Sequence, residues 1–182
     1  PSTAAKKRGA TMPFTIIRQG DSKTISLPVQ ESTQATASVQ RVRNLPVLRV
    51  ARFGPETVKV VEQQLADLAK AKDDKLAIDL RGVAGCDPEV AYQIADLLAT
   101  GDLGNLQARD KVEKRFTASG EPAWKGRLVV LIDRGTLGAP EVLARVLDET
   151  VDAQLVGEPT FGHAGHQGEV ELQSGGLVEL TD

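Results

Sequence analysis

Apolar residues along this chain follow two alternating periodicities. Four short apolar runs are typical of buried strands: residues 45–53, 75–80, 128–132 and 153–157. Three longer stretches carry apolar residues at helical spacing: residues 55–72, 87–101 and 140–149. Strands that alternate with helices in this way predict an α/β fold, in which helices cover a mostly parallel sheet.

Boundary residues support two of these helices. Pro55 suits the first position of the first helix, because its missing N–H would have no partner there. Asp87 is a good N-cap for the second helix, which is predicted to end near Gly101. Residues 102–127 are polar and aperiodic, so no element is predicted there.

Two β-hairpins are predicted outside this alternation. The first joins residues 12–18 to residues 23–29 across a turn that contains Gly20, and the second spans residues 169–180. A stretch rich in Ser, Thr, Gln and Ala follows the first hairpin and reads as a linker. We therefore divide the chain into three parts: an N-terminal segment of residues 1–30, a linker of residues 31–44 and a core domain of residues 45–182.

Composition narrows the function classes. Of the 182 residues, 41% are hydrophobic but only 3% are aromatic, so the core is predicted to consist of Val, Leu, Ile and Ala. The net charge of −3 gives no electrostatic case for nucleic acid or an anionic membrane, and no apolar run reaches transmembrane length. Because the sequence opens on Pro1, we expect a fragment or a processed form, and the missing signal peptide carries no information.

The junction between the third predicted strand and the third predicted helix has the layout of a nucleophile turn. In many hydrolases such a junction holds a serine at the helix N-terminus, where backbone N–H groups face an oxyanion. Here the turn contains Thr136, Leu137, Gly138 and Ala139, but no serine. Either the nucleophile therefore lies elsewhere in the chain, or the protein has lost its catalytic activity.

Three segments at strand ends carry a more specific pattern: residues 77–89, 130–144 and 155–167. Together they resemble the carboxyl-terminal processing (tail-specific) serine proteases, whose motifs read D-L-R-x-N-P-G-G, T/S-A-S-A-S-E-I and V-G-E-x-T-F-G-K-G-x-x-Q. The matching positions are Asp79, Leu80, Arg81, Gly85, Thr136, Ala139, Glu141, Val156, Gly157, Glu158, Thr160, Phe161, Gly162 and Gln167. Order and spacing agree over residues 45–180.

This resemblance implies an α/β superhelix of strand–strand–helix units, of the crotonase and Clp-protease type, with a short β-hairpin segment at the N-terminus. Residues 5–29 resemble the closing part of a PDZ domain, the peptide-binding module that precedes the protease core in this family. Residues 1–30 are therefore interpreted as a PDZ-like remnant. The resemblance also implies an extracytoplasmic location, in the periplasm or cell envelope.

The family uses a serine nucleophile and a lysine general base, and the resemblance assigns both to residues that lack these groups. The serine falls on Gly138 and the lysine on His163, with the family spacing between them, while Gln167 matches the family glutamine. Glycine has no side chain that a base could deprotonate, so no serine-type proteolysis is expected. Backbone N–H groups of Gly85 and Ala139 correspond to the family's oxyanion hole.

Two other side chains are candidate substitute nucleophiles. Thr136 lies two residues before the serine position, although its simpler role is to stabilise the turn through its hydroxyl. Cys86 lies in the predicted oxyanion loop, where it either packs as a small hydrophobe or pairs with His163.

The remaining polar residues have structural interpretations. His163 and His166 would make a weak metal site without a third ligand, so neither metal nor cofactor is predicted. Asp79 and Arg81 are predicted to pair with each other, and Glu141 to interact with the helix dipole.

We expect a non-catalytic homologue of tail-specific serine peptidases that binds a peptide or protein segment in the former active-site cleft. One alternative is a serine-type peptidase that acts on protein C-termini with a substituted nucleophile, and a second is the binding of a small apolar ligand. No nucleic acid or membrane partner is expected, and the sequence leaves the ligand and the oligomeric state open.

Overall fold

The computed structural model describes residues 10–28, 34–108, 111–165, 167–172 and 177–181. The elements follow in the order β1 Thr11–Arg18, β2 Asp21–Pro28, β3 Ala37–Val42, β4 Leu45–Val50, α1 Pro55–Lys70, β5 Lys75–Asp79, β6 Ala84–Gly85, α2 Pro88–Asp96, β7 Asp102–Ala108, β8 Lys111–Thr117, β9 Arg127–Ile132, β10 Leu137–Gly138, α3 Ala139–Val151, β11 Gln154–Gly157, β12 Gln167–Glu171 and β13 Leu177–Thr181. Every predicted helix and strand is present among them.

A five-stranded sheet in the order β11-β9-β5-β4-β3 forms the centre of the fold. Strands β4, β5, β9 and β11 run parallel, and β3 pairs antiparallel with β4 at one edge. Leu48, Ile78 and Val130, one from each of the three central strands, are fully buried. The mostly parallel α/β sheet predicted from the sequence is therefore confirmed.

Helix α1 buries one face, made of the apolar residues Val61, Leu65 and Leu68 together with Thr57. It packs against β3, β4 and α2, and α2 also packs against α3. Its first helical residue is a proline, as the sequence predicted.

Helix α2 begins as predicted but ends early. Asp87 caps it by accepting the N–H of Glu89 at 2.9 Å. The helix ends at Asp96, five residues before Gly101, and Leu97 is its C-cap. Gly101 has a positive φ of 80°. The helical spacing continued beyond the true end because Leu98 and Ala99 are buried in the turn that follows.

Strand β3 overturns part of the linker prediction. Residues 37–42 belong to the central sheet, and a tight turn with positive φ at Arg43 (47°) and Asn44 (68°) joins them to β4. Since β3 is an edge strand with mostly exposed side chains, its sequence lacks the apolar run that marks a buried strand.

A hairpin of β7 and β8 occupies part of residues 102–127, for which no element was predicted. Its strands pair antiparallel with register shifts, and nearly all of the β8 side chains are exposed. The stacked rings of Tyr92 and Phe116, 4.0 Å apart between centroids, anchor it to α2. Irregular pairing and exposure removed the period-two signal from the sequence.

Contacts between Cα atoms divide the chain into two compact units: residues 1–34 with 169–179, and residues 35–168 with 180–182. The first contains the hairpin β1–β2, whose turn has positive φ at Gln19 (55°) and Gly20 (90°). Residues 169–179 group with this N-terminal unit, and the division into a core domain over residues 45–182 stays a prediction. The PDZ interpretation of residues 1–30 stays a prediction.

Candidate active site

Two short segments at the carboxyl edge of the sheet lie side by side. Strands β6 and β10 form a two-residue parallel bridge that places Gly138 opposite Gly85 and Leu137 opposite Ala84. The N–H of Leu137 donates to the carbonyl oxygen of Val83 at 2.9 Å. The bridge therefore brings together the nucleophile turn and the oxyanion loop predicted from the sequence.

Gly138 has a backbone conformation that only glycine adopts readily. It is the N-cap of α3, with φ 74° and ψ −124°. A Cβ atom built on Gly138 would lie less than 3.0 Å from the carbonyl oxygen of Gly85, a separation that real Cβ atoms essentially never show. The position to which the resemblance assigns the serine therefore has no space for a side chain unless the backbone moves.

Glu141 connects this turn to the loop that carries His163. Its buried carboxylate accepts the N–H of Gly138 at 2.8 Å and that of His163 at 3.0 Å, both on Oε2. Oε1 accepts the N–H of Gly162 at 2.6 Å. Burial raises the pKa of Glu141, but hydrogen bonds from Thr160 and from these N–H groups outweigh it, so the pKa lies below its ordinary value.

Thr136 has a structural role at the ends of two strands. Its fully buried hydroxyl donates to the carbonyl oxygen of Leu80 at 3.0 Å and accepts the N–H of Asp133 at 3.0 Å. The Asp133 carboxylate in turn accepts the N–H groups of Gly82 at 2.7 Å and Gly135 at 2.9 Å, which lower its pKa. Because the Thr136 hydroxyl proton is already donated to a carbonyl, the geometry does not favour Thr136 as a nucleophile.

We predict that Thr136→Val lowers the free energy of unfolding by about 1 to 3 kcal/mol, because the N–H of Asp133 and the carbonyl of Leu80 both lose a buried partner. Thr136→Ser keeps the hydroxyl and serves as the matched control, with a smaller loss. Urea unfolding of the three proteins measures the difference. Equal stabilities of the Val and Ser variants would contradict the assigned role.

Asp79 and Arg81 pair with each other at the end of β5. Arg81 donates from Nε to Oδ1 of Asp79 at 2.8 Å and from Nη2 to Oδ2 at 3.0 Å, and Arg49 lies 3.2 Å from Oδ1. Burial raises the pKa of Asp79, but these hydrogen bonds and charges more than compensate, so the pKa is lowered. The bidentate pair holds the loop that begins at Arg81.

Cys86 and His163 line one small cavity of about 40 Å³ beside Gly138. Cys86 is exposed, and the imidazole of His163 is half-buried, edge-on to the ring of Phe161 at 6.3 Å between centroids. His166 lies outside the described residues, and Gln167 begins β12 with a side chain that is likewise outside them. Within the described ranges, no group of three or more His, Cys, Asp or Glu side chains could hold a metal ion.

A larger cleft of about 700 Å³ lies next to this small cavity, and Gly165 lines both. The residues around it come from α2, the β7–β8 hairpin, α3 and the His163 loop: Asp87, Glu89, Tyr92, Asn105, Leu106, Gln107, Glu113, Val142, Ala164 and Gly165. The sequence did not predict this side of the cleft, because the β7–β8 hairpin that forms part of it has no periodic pattern of apolar residues.

The α/β sheet and the paired loops at its carboxyl edge agree with the class of protein that the sequence comparison identifies. Residues 44–182 match the model of peptidase family S41, and the chain belongs to this family. The resemblance to carboxyl-terminal processing proteases found in the three motifs is thereby confirmed, together with the α/β fold.

Individual relatives are carboxyl-terminal processing proteases. The chain is 34% identical over 135 residues to the carboxyl-terminal-processing protease of Synechocystis sp., a match that covers 74% of this chain and 32% of the relative. It is 30% identical to the chloroplastic C-terminal processing peptidase of Tetradesmus obliquus, over 76% of this chain and 30% of that protein. Hence the chain spans about a third of the length of these curated relatives.

A solved structure, the photosystem II D1 C-terminal processing protease, matches with a TM-score of 0.72 and 25% identity. The match covers 96% of this chain and 50% of that one. In the part of the chain that the structure describes, no helix is both long and apolar enough to cross a membrane.

Proposed function

We propose that this chain is a non-catalytic member of peptidase family S41 that binds an extended peptide or protein segment in the cleft beside Gly138. The observation that carries the proposal is the geometry of Gly138. This residue supplies no nucleophile, and its backbone leaves no space for a Cβ atom next to Gly85. The adjoining cleft of about 700 Å³ remains available for a ligand.

Peptide hydrolysis of the serine type needs a nucleophile, a base and an oxyanion hole. Gly138 has no atom for the first role, so His163 in the lysine position has nothing to activate. The Gly85 carbonyl oxygen lies where the side chain of residue 138 would begin. A side chain at residue 138 would therefore meet a backbone carbonyl before its hydroxyl could reach a substrate.

Binding places fewer demands on this site than catalysis does. Tyr92, Leu106 and Val142 give the cleft apolar surface, and the backbone of Ala164 and Gly165 forms its boundary towards Gly138. Apolar surface with a few polar groups around it is the usual composition of a ligand cleft. A peptide laid along this cleft would pass the position at which the family cleaves its substrates.

The proposal predicts binding without cleavage. A fluorescein-labelled, C-amidated peptide of alternating alanine and leucine should raise its anisotropy on titration with the protein and stay intact by mass spectrometry after overnight incubation. Val142→Phe adds bulk to the cleft wall and should weaken binding about tenfold. Val60→Phe, the same change on the partly buried face of α1, is the control and should leave the affinity unchanged. Failure of this peptide to bind would overturn the proposal.

One observation favours a second candidate, hydrolysis by a substituted nucleophile. Cys86 is exposed and shares its small cavity with His163, the arrangement from which a cysteine–histidine pair could form. Cleavage of the labelled peptide that is abolished by both Cys86→Ala and His163→Ala would establish this candidate and reject the non-catalytic one. The extracytoplasmic location implied by the family resemblance stays a prediction.

A further inference from the structure

Acidic side chains on the rim of the large cleft outnumber basic ones. Asp87, Glu89 and Glu113 line the cleft, and its lining contains no lysine or arginine among the described residues. Lys114 compensates one of these charges, since its Nζ lies 2.6 Å from Oε2 of Glu89. The lining therefore keeps an excess of negative charge beside its apolar surface.

The contacts of Lys114 show how a cationic side chain is accommodated next to this cleft. Its ammonium group contacts the Glu89 carboxylate and lies 5.0 Å from the centroid of the Phe116 ring. The ring of Phe116 stacks on Tyr92, which lines the cleft. A carboxylate next to an aromatic face is an environment that lysine and arginine occupy favourably, with the stem on apolar surface and the charge on the acid.

The lining of the cleft also suits a basic side chain. Leu106 and Val142 offer apolar surface for the methylene stem, while the cap hydrogen bond of Asp87 to the N–H of Glu89 fixes one carboxylate at the rim. The free carboxylate of a peptide C-terminus would instead be repelled by these acids. Charge complementarity thus favours a basic side chain within a peptide over an acidic group or a chain end.

We propose that this cleft selects peptide segments that carry a lysine or arginine side chain flanked by apolar residues. The inference rests on the proposed function, because it names the class of peptide that the same site binds. Under this proposal the cleft recognises a basic side chain within the peptide and not a free C-terminal carboxylate.

The test compares three labelled, N-acetylated and C-amidated peptides of alternating alanine and leucine that differ at one central residue: lysine, norleucine or glutamate. Norleucine keeps the aliphatic stem and removes the charge. At low ionic strength the lysine peptide should bind about fivefold more tightly than the norleucine peptide, and the glutamate peptide most weakly. Added salt should reduce the preference for lysine.

Matched variants locate the preference in the cleft. Glu113→Gln should remove about half of the lysine preference, whereas Glu62→Gln, which makes the same change on an exposed position of α1, should leave it intact. Equal binding of the lysine and norleucine peptides would overturn this inference while leaving the proposed function standing. Absence of binding by all three peptides would overturn the proposed function as well.

Discussion

Replacing Gly138 by alanine should lower the free energy of unfolding by about 3 to 5 kcal/mol, since two separate costs add. The first is conformational, because φ 74° with ψ −124° is a region that residues with a Cβ rarely occupy. The second is steric, because the new Cβ would lie less than 3.0 Å from the carbonyl oxygen of Gly85, a backbone atom that cannot rotate away. Relief of the overlap requires the β6–β10 bridge to open.

Gly101→Ala separates the two costs. Gly101 also has a positive φ, 80°, but a Cβ there would meet nothing within 4 Å. Only the conformational cost applies, so this variant should lose about 1 to 2 kcal/mol. Thermal and urea unfolding of both variants measure the two values. Similar losses of unfolding free energy in Gly138→Ala and Gly101→Ala would show that the carbonyl of Gly85 does not obstruct a side chain at position 138.

The same steric argument applies to serine. A protein with Gly138→Ser and His163→Lys would carry the two side chains that the family uses, yet its serine Cβ would meet the Gly85 carbonyl just as alanine does. We therefore expect this double variant to be destabilised and to cleave no peptide. Detectable proteolysis would mean that the oxyanion loop rearranges once a side chain is present.

Much of the fold could be predicted from the sequence, because its buried elements carry their own periodicity. The apolar runs of β4, β5, β9 and β11 form the four parallel strands of the central sheet, and the helices lie between these strands in the sequence. Strand β3 and the hairpin β7–β8 were missed for one shared physical reason. Their side chains are mostly exposed, so burial imposed no alternation on the sequence.

The candidate site was predictable in position but not in geometry. The motifs placed Gly85, Gly138 and His163 in one site, and the structure brings all three to the same small cavity. The lack of space for a side chain at position 138 depends on backbone torsions and on the register of the two-residue bridge between β6 and β10. No residue pattern encodes these two features. The role of the Glu141 carboxylate needed the fold as well, since its partners come from a loop more than twenty residues away in sequence.

Glu141→Gln should lower the free energy of unfolding by about 2 to 3 kcal/mol at neutral pH. The carboxylate accepts N–H groups from Gly138, Gly162 and His163, and hydrogen bonds to a buried charged acceptor are the strong kind. Glutamine keeps the shape but removes the charge and offers one accepting oxygen instead of two. Its NH₂ group would face an N–H that previously donated.

The dependence of this loss on pH identifies the charge as its cause. The pKa of Glu141 in the folded protein lies below its ordinary value, so its contribution is complete above the ordinary value and is lost as pH falls through the folded value. The stability gap between the wild-type protein and Glu141→Gln should therefore be constant near neutral pH and shrink in acid. Urea unfolding at a series of pH values measures it.

Glu149→Gln is the matched control, because Glu149 lies on the same helix, is exposed, and forms a surface ion pair with Arg145. Exposed pairs contribute about 0.2 to 1 kcal/mol, so this variant should remain close to the wild-type protein. Loss of Glu141 should also release the loop that carries His163 from the turn at Gly138, and amide hydrogen exchange at Gly162 and His163 should accelerate only in Glu141→Gln. A gap of equal size in both variants, or one that persists unchanged into acid, would show that the Glu141 carboxylate does not hold these two segments together.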